Sequence, residues 1–402
     1  MNKSDTFRLA RLRLSRGSAL VTLALMIPII FLFVGLSIDF GVSYMAQASL
    51  AKSVDASCLA GMRNYYQGVA QAQAVALAAF AANYGQPHWG TGTVTPIVTF
   101  TTDANNNRFL SVSASATVNT FFIRVIPQWK TLQVSASAQA TRANLVMSLA
   151  LDRSGSMSGN GGGAVLPDAV TSFINYFDDI YDTVGMVSFA SAVKNDVAIS
   201  HPFKAAITSA AHALLFSGAT FALGGLTNAF AQIVSVYTPP NENVVKVCVF
   251  FTDGFANTSQ DPLRHPTLSL LNFGGYDSGT SVGFFDPTTG TQFNFGTYSP
   301  TRFYAYQYSA SQTVARANVT ADAEYRCLKI ANAMRANSII VYCIGLGNNI
   351  DQTFLQRIAN DPAVPGYVPT SYDGVALFAP SNAQLTEMFE LIASKVLLRL
   401  SQ

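Results

Sequence analysis

The sequence contains little charge. Lys, Arg, Asp and Glu make up 11% of its 402 residues, less than half of the share in an average soluble domain. Half of the residues are hydrophobic, which excludes an intrinsically disordered chain, because disorder needs low hydrophobicity and high charge. The formal net charge is only +2. A basic surface of the kind that binds nucleic acid is therefore not expected.

Cysteine and histidine are also rare, with four residues of each. The cysteines form no Cys-x-x-Cys pair, which excludes zinc ribbons and thioredoxin-type motifs, and the sequence alone leaves their pairing open. Neither a Gly-x-x-x-x-Gly-Lys-Ser/Thr phosphate loop nor a His-Glu-x-x-His motif is present. Met157 stands where a nucleophile elbow within Gly155–Gly159 would need serine. We therefore expect a protein that is not an enzyme.

One long hydrophobic run lies near the amino terminus. Residues 17–38 contain no charged side chain, and a helix of this length covers about 33 Å, enough to cross the hydrocarbon core of a bilayer. Five basic residues precede the run: Lys3, Arg8, Arg11, Arg13 and Arg16. Because such residues stay in the cytoplasm, we predict a cytoplasmic tail at 1–16, a single transmembrane helix at 17–41 and an extracytoplasmic remainder. The alternative is a cleaved signal peptide, since Ala46-Gln47-Ala48 resembles a signal-peptidase site.

Residues 42–142 predict a helical stalk followed by a small antiparallel sheet. Residues 42–84 are rich in Ala, Gln and Leu at helical spacing, with an expected break near Tyr65–Gly68. Alternating runs rich in Val, Thr and Ser then predict three or four strands, at Thr93–Thr101, Phe109–Val125 and Leu132–Ala140. A helix followed by a small sheet is also the arrangement of pilin-like proteins.

Strands and helices alternate in residues 143–402. Continuous apolar runs predict strands buried on both faces, at Leu145–Leu151, Thr183–Phe189, Val244–Phe251, Ser338–Ile344 and, more weakly, Val375–Phe378. Helices are predicted at Val165–Ile180, Phe221–Val236, Val314–Asn337, Gln352–Asn360 and Asn382–Leu400. The alternation predicts an α/β domain with a mostly parallel, doubly wound sheet. Ligands of such sheets bind at the carboxyl ends of the strands beside a topological switch point.

Side chains that end in oxygen follow two of these strands. Asp152, Ser154 and Ser156 come after the first strand, and Asp253 follows a later strand within Thr-Asp-Gly. Thr220 precedes a helix and can supply a third hydroxyl. Carboxylates and hydroxyls are hard ligands that suit Mg²⁺, Mn²⁺ or Ca²⁺ and do not suit zinc or copper. The sequence therefore predicts a metal site at this edge of the sheet.

This set of residues resembles the metal-ion-dependent adhesion site, or MIDAS, of von Willebrand factor type A domains. The family motif is Asp-x-Ser-x-Ser, then a Thr, then Thr-Asp-Gly. Asp152, Ser154, Ser156 and Asp253 match it. Thr220 fits the threonine position better than Thr227 does. The resemblance implies a Rossmann-like fold, a metal bound by the hydroxyls directly and by the aspartates mostly through water, and a protein partner whose carboxylate completes the metal's ligands.

The amino-terminal segment resembles the anchor of TadE/TadG-type Flp pilus assembly proteins. It shares an Arg-Gly-Ser start, an apolar span, the exit Asp39-Phe40-Gly41 and an Ala-rich continuation. TadG-type proteins also contain a von Willebrand A domain, and the ending Leu385–Leu400 is similar to theirs. Thr22 stands where pseudopilins cut by prepilin peptidase have Glu, so we expect no such processing.

Together the two resemblances imply a metal-dependent, protein-binding module in the bacterial inner membrane. This module would assist Flp/Tad pilus assembly or secretion, with pilus assembly components as partners. Two alternatives stay open: a structural envelope protein with a vestigial metal site, and a metal-dependent hydrolase.

A long insertion, at about residues 256–311, follows Asp253-Gly254 in the predicted von Willebrand A domain. Residues 266–315 contain eleven aromatic and three charged side chains, whereas a disordered linker would contain few aromatics. We therefore predict an ordered flap with short hairpins that lines the metal site and selects the partner. The alternative is that the aromatic rings only pack the insertion onto its own domain.

Overall fold

The computed structural model describes residues 16–84, 91–262, 270–275, 282–289, 291–293 and 312–400. The chain separates into two compact units that alternate along the sequence. Unit 1 comprises Met1–Gly61, Gln73–Phe100 and Leu110–Ala140, and unit 2 comprises Met62–Ala72, Thr101–Phe109 and Thr141–Gln402. The domain boundaries predicted after residues 16, 41 and 142 stay predictions.

Two helices begin the chain. Helix α1 spans Arg16–Arg63 and α2 spans Val69–Tyr84. Between them lie a 3-10 turn at Tyr65–Gln67 and Gly68, whose φ of +94° ends helical geometry. This confirms the predicted helix break. In the described part of the chain, one helix is long and apolar enough to cross a membrane, and a signal sequence near the amino terminus would meet the same criterion.

Unit 1 contains a three-stranded sheet with the order β1-β2-β3. Its strands are β1 (Ile97–Thr102), β2 (Arg108–Asn119) and β3 (Thr131–Arg142), each of which has one end in unit 2. The three predicted strands are thus present, but the strand predicted at Phe109–Val125 stops at Asn119. Residues 120–130 instead form two 3-10 turns, at Ile123–Val125 and Pro127–Trp129.

The early end of β2 has a physical cause in a distant residue. The backbone N–H groups of residues 121–123 donate to the Asp39 carboxylate at 2.7, 2.9 and 2.7 Å. An N–H that bonds to a side chain cannot take part in a strand ladder, so the strand ends. Because residues 121–126 are mostly apolar, their sequence resembles a strand and gives no sign that their N–H groups bond to Asp39.

Unit 2 is built on a six-stranded sheet with the order β13-β12-β7-β4-β5-β6. Its strands are β4 (Asn144–Asp152), β5 (Thr183–Phe189), β6 (Val193–Ser200), β7 (Val244–Thr252), β12 (Ile339–Leu346) and β13 (Ala376–Ala379). Every pairing is parallel except that of β5 with β6. Counted within this sheet, the strand order is 3-2-1-4-5-6, and the switch point lies between β4 and β7. The prediction of a mostly parallel sheet is confirmed.

Helices cover both faces of this sheet. The helices are α3 (Gly155–Gly159), α4 (Gly162–Ile174), α5 (Lys204–His212), α6 (Ala222–Ser235), α7 (Gln312–Ala336), α8 (Gln352–Ala359) and α9 (Leu385–Leu400). One hydrophobic cluster joins the sheet to α4, α5 and α9, and a second joins it to α6, α7 and α8. Every residue of β4 is buried, as expected for a strand packed on both faces.

Two differences from the predicted elements have local reasons. The helix predicted at Val165–Ile180 ends at Ile174, and beyond it the Asp178 carboxylate accepts the backbone N–H groups of Ile180 and Tyr181, which favours a turn. The edge strand β6 was not predicted. Its polar side chains, such as Lys194 and Asn195, hide the strand pattern.

The insertion contains a second, four-stranded sheet. Strands β8 (Thr258–Pro262), β9 (Leu270–Gly275), β10 (Val282–Phe285) and β11 (Gln292–Phe293) pair antiparallel in the order β11-β10-β9-β8. This confirms the predicted hairpins. The eleven aromatic side chains of residues 266–315 lie outside the part of the chain whose side chains the structure describes. The proposed role of the flap at the metal site therefore stays a prediction.

Candidate metal centre

The two predicted aspartates lie at the same edge of the sheet. Strands β4 and β7 are parallel neighbours in which Leu151 is opposite Phe251. Asp152 is the last residue of β4, and Asp253 directly follows β7. Both carboxylates are buried, with 0% and 2% of their surface exposed. They therefore meet at the switch point, where loops leaving in opposite directions open a crevice.

Two neighbours hold the Asp152 carboxylate. The backbone N–H of Ser154 donates to its Oδ1 at 2.8 Å, and the Thr252 hydroxyl donates to its Oδ2 at 2.5 Å. Thr252 also lies 3.2 Å from the backbone N and O of Gly254. The threonine of the Thr-Asp-Gly motif thus links the two strand ends, a role that the sequence did not reveal.

The hydroxyls of the first loop connect to the carboxylate of the second. The Ser154 and Ser156 Oγ atoms lie 3.0 Å apart, and the Ser156 hydroxyl donates to Asp253 Oδ1 at 2.6 Å. On the other side, the Asn160 amide donates to Asp253 Oδ2 at 2.7 Å. Four of the five predicted residues therefore form one connected group.

Asn160 is the site residue that sequence reasoning missed. Its side-chain oxygen accepts the Gly162 N–H at 2.8 Å, and its backbone oxygen accepts from the Asn382 amide at 2.8 Å. The residue is therefore fixed from both sides while it holds Asp253. It lies in a glycine-rich loop and belongs to no motif, so no sequence signal indicated it.

Thr220 approaches the same group from a third loop. Gly218, with φ of +91°, accepts the Gly155 N–H at 3.0 Å, and the Thr220 N–H donates to Asn257 Oδ1 at 2.7 Å. A Cβ placed on Gly254 would lie 3.7 Å from Ser156 Oγ and 3.9 Å from Thr220 Oγ1. The two hydroxyls therefore border the same glycine. Thr227, the other candidate, lies exposed within α6.

The electrostatics of the site favour a cation. Burial, and secondarily repulsion by Asp253, raises the pKa of Asp152 to about 7. Two buried carboxylates that repel each other would both be stabilised by a divalent cation. The donors are carboxylates and hydroxyls, which fit Mg²⁺. Among the described residues, no three His, Cys, Asp or Glu side chains form a group that could hold a metal, so metal binding would depend on the hydroxyls.

No protein-family model and no curated protein matches the sequence. Among solved structures, the PilB minor pilin from Streptococcus sanguinis is 16% identical, aligned over 77% of this chain and 79% of that one, with a TM-score of 0.43. The vWF domain of the type V pili tip protein Mfa5 from Porphyromonas gingivalis is 13% identical over 65% and 97%, with a TM-score of 0.41.

A third likeness is to proximal thread matrix protein 1 from the mussel byssus, solved with a zinc-occupied MIDAS motif. It is 15% identical over 64% of this chain and 46% of that one, with a TM-score of 0.37. The chain thus spans about half the length of the mussel protein. At these identities and TM-scores the likenesses add nothing to the site, which stands on its own residues.

Proposed function

We propose that residues 143–402 form a von Willebrand A-type domain that binds a protein partner through a divalent cation, Mg²⁺ in the first place and Mn²⁺ or Ca²⁺ as alternatives. One observation carries this proposal. Two buried aspartates and three hydroxyl side chains from three separate loops meet at the switch point of a doubly wound sheet.

Each side chain has a separate task in this proposal. Ser154, Ser156 and Thr220 offer hydroxyl oxygens to the cation. A serine that donates its hydrogen to a carboxylate, as Ser156 does to Asp253, keeps its oxygen lone pairs for a metal. Asp152 and Asp253 supply the negative charge. The cation would leave a coordination position for a carboxylate of the partner.

The setting of the domain is part of the same proposal. Helix α1 anchors the chain once in the bacterial inner membrane, with residues 1–16 in the cytoplasm and most of the chain outside it. The domain then assists Flp/Tad-type pilus assembly or secretion. This is supported by the exposed apolar residues of α1 between Leu20 and Val34 and by the resemblance at Asp39-Phe40-Gly41.

Calorimetric titration of the full chain in detergent with Mg²⁺ tests the metal site, and Mn²⁺, Ca²⁺ and Zn²⁺ are titrated in parallel. We expect saturable binding that Ser154→Ala and Ser156→Ala weaken strongly. Ser158→Ala is the matched control, because Ser158 is an exposed serine of the same short helix, α3, as Ser156. If Mg²⁺ gives no saturable heat with the parent protein, the site is vestigial and the proposal is wrong.

A further inference from the structure

A group of exposed apolar side chains lies in residues 121–129, which we name the aromatic turn. Its members are Phe121, Phe122, Val125 and Trp129, with exposed fractions of 49, 51, 77 and 47%. Two exposed basic residues accompany them, Arg124 within the turn and Lys130 directly after it. Four large apolar side chains exposed within nine residues are unusual on a protein facing water and indicate an interaction site.

The aromatic turn is fastened to α1 at two levels. At the first level, the Asp39 carboxylate accepts the backbone N–H groups of residues 121–123. At the second, the Phe122 side chain covers Gly35, where an added Cβ would lie 2.5 Å from the Phe122 Cβ. Gly35 precedes Asp39 by one helical turn, about 6 Å along the axis. Phe122 therefore lies beside the end of the hydrophobic span itself.

The burial pattern of α1 locates this contact along the helix. From Leu20 to Val34 the helix is exposed, whereas from Gly35 onward one side is buried, through Asp39, Ser43 and Ala46. The helix therefore enters the fold of unit 1 at Gly35. From Arg16 to Gly35 the axis covers about 28 Å, close to the ~30 Å thickness of the hydrocarbon core. Gly35 and Phe122 thus fall at the far boundary of the bilayer when Arg16 lies at the near one.

We propose that the aromatic turn inserts into the boundary between headgroups and hydrocarbon, in the leaflet from which α1 leaves the membrane. The proposal depends on the membrane anchoring proposed above. Trp is enriched in this region of a bilayer, Phe is common on the apolar face of segments that lie there, and Arg124 and Lys130 would meet lipid phosphates. Phe122 packs on Gly35, the residue directly after the exposed apolar stretch that ends at Val34, which favours lipid over a protein occupant. Unit 1 would then be attached to the membrane at two places.

The two tryptophans of the chain provide the test. They are Trp89 and Trp129, so Trp89→Phe leaves a single reporter in the aromatic turn. The full-length variant is placed in lipid nanodiscs whose acyl chains are brominated either near the headgroups or near the bilayer centre. We expect bromine near the headgroups to quench Trp129 emission more than bromine at the centre does, and aqueous iodide to quench it little.

A second reporter separates this inference from the anchor. Leu25 lies within the exposed part of α1, and Leu25→Trp, with both native tryptophans changed to Phe, reports on the span. If bromine at the bilayer centre quenches this reporter while only iodide quenches Trp129, the anchor stands and the aromatic turn faces water or a protein partner. If lipid quenches neither reporter, both proposals are wrong. Phe121→Ser with Phe122→Ser, in the Trp89→Phe protein, should reduce the lipid quenching of Trp129.

Discussion

Changing Asp152 to Asn should stabilise the metal-free protein at alkaline pH and at the same time remove its response to Mg²⁺. The Asp152 carboxylate is fully buried, and its pKa is raised from 3.8 to about 7 by burial and by Asp253. Between these values the folded protein holds a proton that the unfolded chain has released. The contribution of Asp152 to the stability of the metal-free protein therefore falls as pH rises from about 4 to about 7.

The size of the expected stabilisation follows from the shift in the pKa of Asp152. At about 1.4 kcal/mol for each pKa unit, the buried charge costs up to about 4 kcal/mol above pH 7. An amide at this position stays neutral and keeps both hydrogen bonds. Its oxygen accepts from the Ser154 N–H, and its NH₂ group donates to the Thr252 hydroxyl, which is then free to donate to the Gly254 carbonyl at 3.2 Å. For a domain of this size, the gain corresponds to a rise in Tm of about 10 °C.

Thermal unfolding of the full chain in detergent, at about pH 5 and about pH 8 with and without Mg²⁺, measures the effect. We expect Mg²⁺ to stabilise the parent much more at pH 8, because protons no longer compete for Asp152. Asp152→Asn should show a higher metal-free Tm at pH 8 and no Mg²⁺ effect, and Ser158→Ala should behave like the parent. A metal-free variant that unfolds at a lower temperature than the parent at pH 8 would refute this reasoning.

Three further predictions concern the supporting structure. Asn160→Ala should weaken Mg²⁺ binding about tenfold in calorimetry, since it removes an amide that holds a predicted metal ligand at 2.7 Å; an unchanged affinity would contradict this. Arg142→Ala leaves the buried Asp182 carboxylate without its cation and should cost about 3–5 kcal/mol in urea unfolding. Arg326→Ala breaks a partly exposed ion pair and should cost less than about 1 kcal/mol; equal losses would be inconsistent with the burial argument. All four cysteine thiols are free and buried, and burial raises the pKa of the Cys248 thiol to about 12. Iodoacetamide reacts with exposed thiolates, so it should label these cysteines only after unfolding.

A strand could be predicted from the sequence when the interactions that fix its position involve residues near it in the chain. Strand β4 was predicted from its continuous apolar run, because burial on both faces marks every residue of such a strand. The edge strand β6 was missed, because one face meets solvent and its sequence contains Lys194 and Asn195. The end of β2 was misplaced, because the acceptor of its N–H groups, Asp39, lies about eighty residues earlier in the chain.

The residues of the candidate site also fall into two groups, those that the sequence predicted and those that only the structure reveals. The proximity of Asp152, Ser154, Ser156 and Asp253 could be predicted because the ends of buried strands show in the sequence and the spacing of the motif is local. The residues that position them, such as Asn160, act through hydrogen bonds whose partners are far apart along the chain. An amide in a glycine-rich loop gives no periodic or motif signal, so only the folded structure reveals it.

The two units contain buried aspartates in contrasting surroundings, and this contrast is the reason why we propose a cation site in unit 2. In unit 1, Asp39 accepts three backbone N–H groups within 2.9 Å, and such donors stabilise the charged carboxylate without a metal. In unit 2, Asp152 and Asp253 repel each other, and the hydroxyls around them have lone pairs left to offer. Asp39 is thus satisfied by the fold and fastens α1 to the small sheet. The pair in unit 2 would gain most from a divalent cation, which is why we propose metal-dependent binding at that edge of the six-stranded sheet.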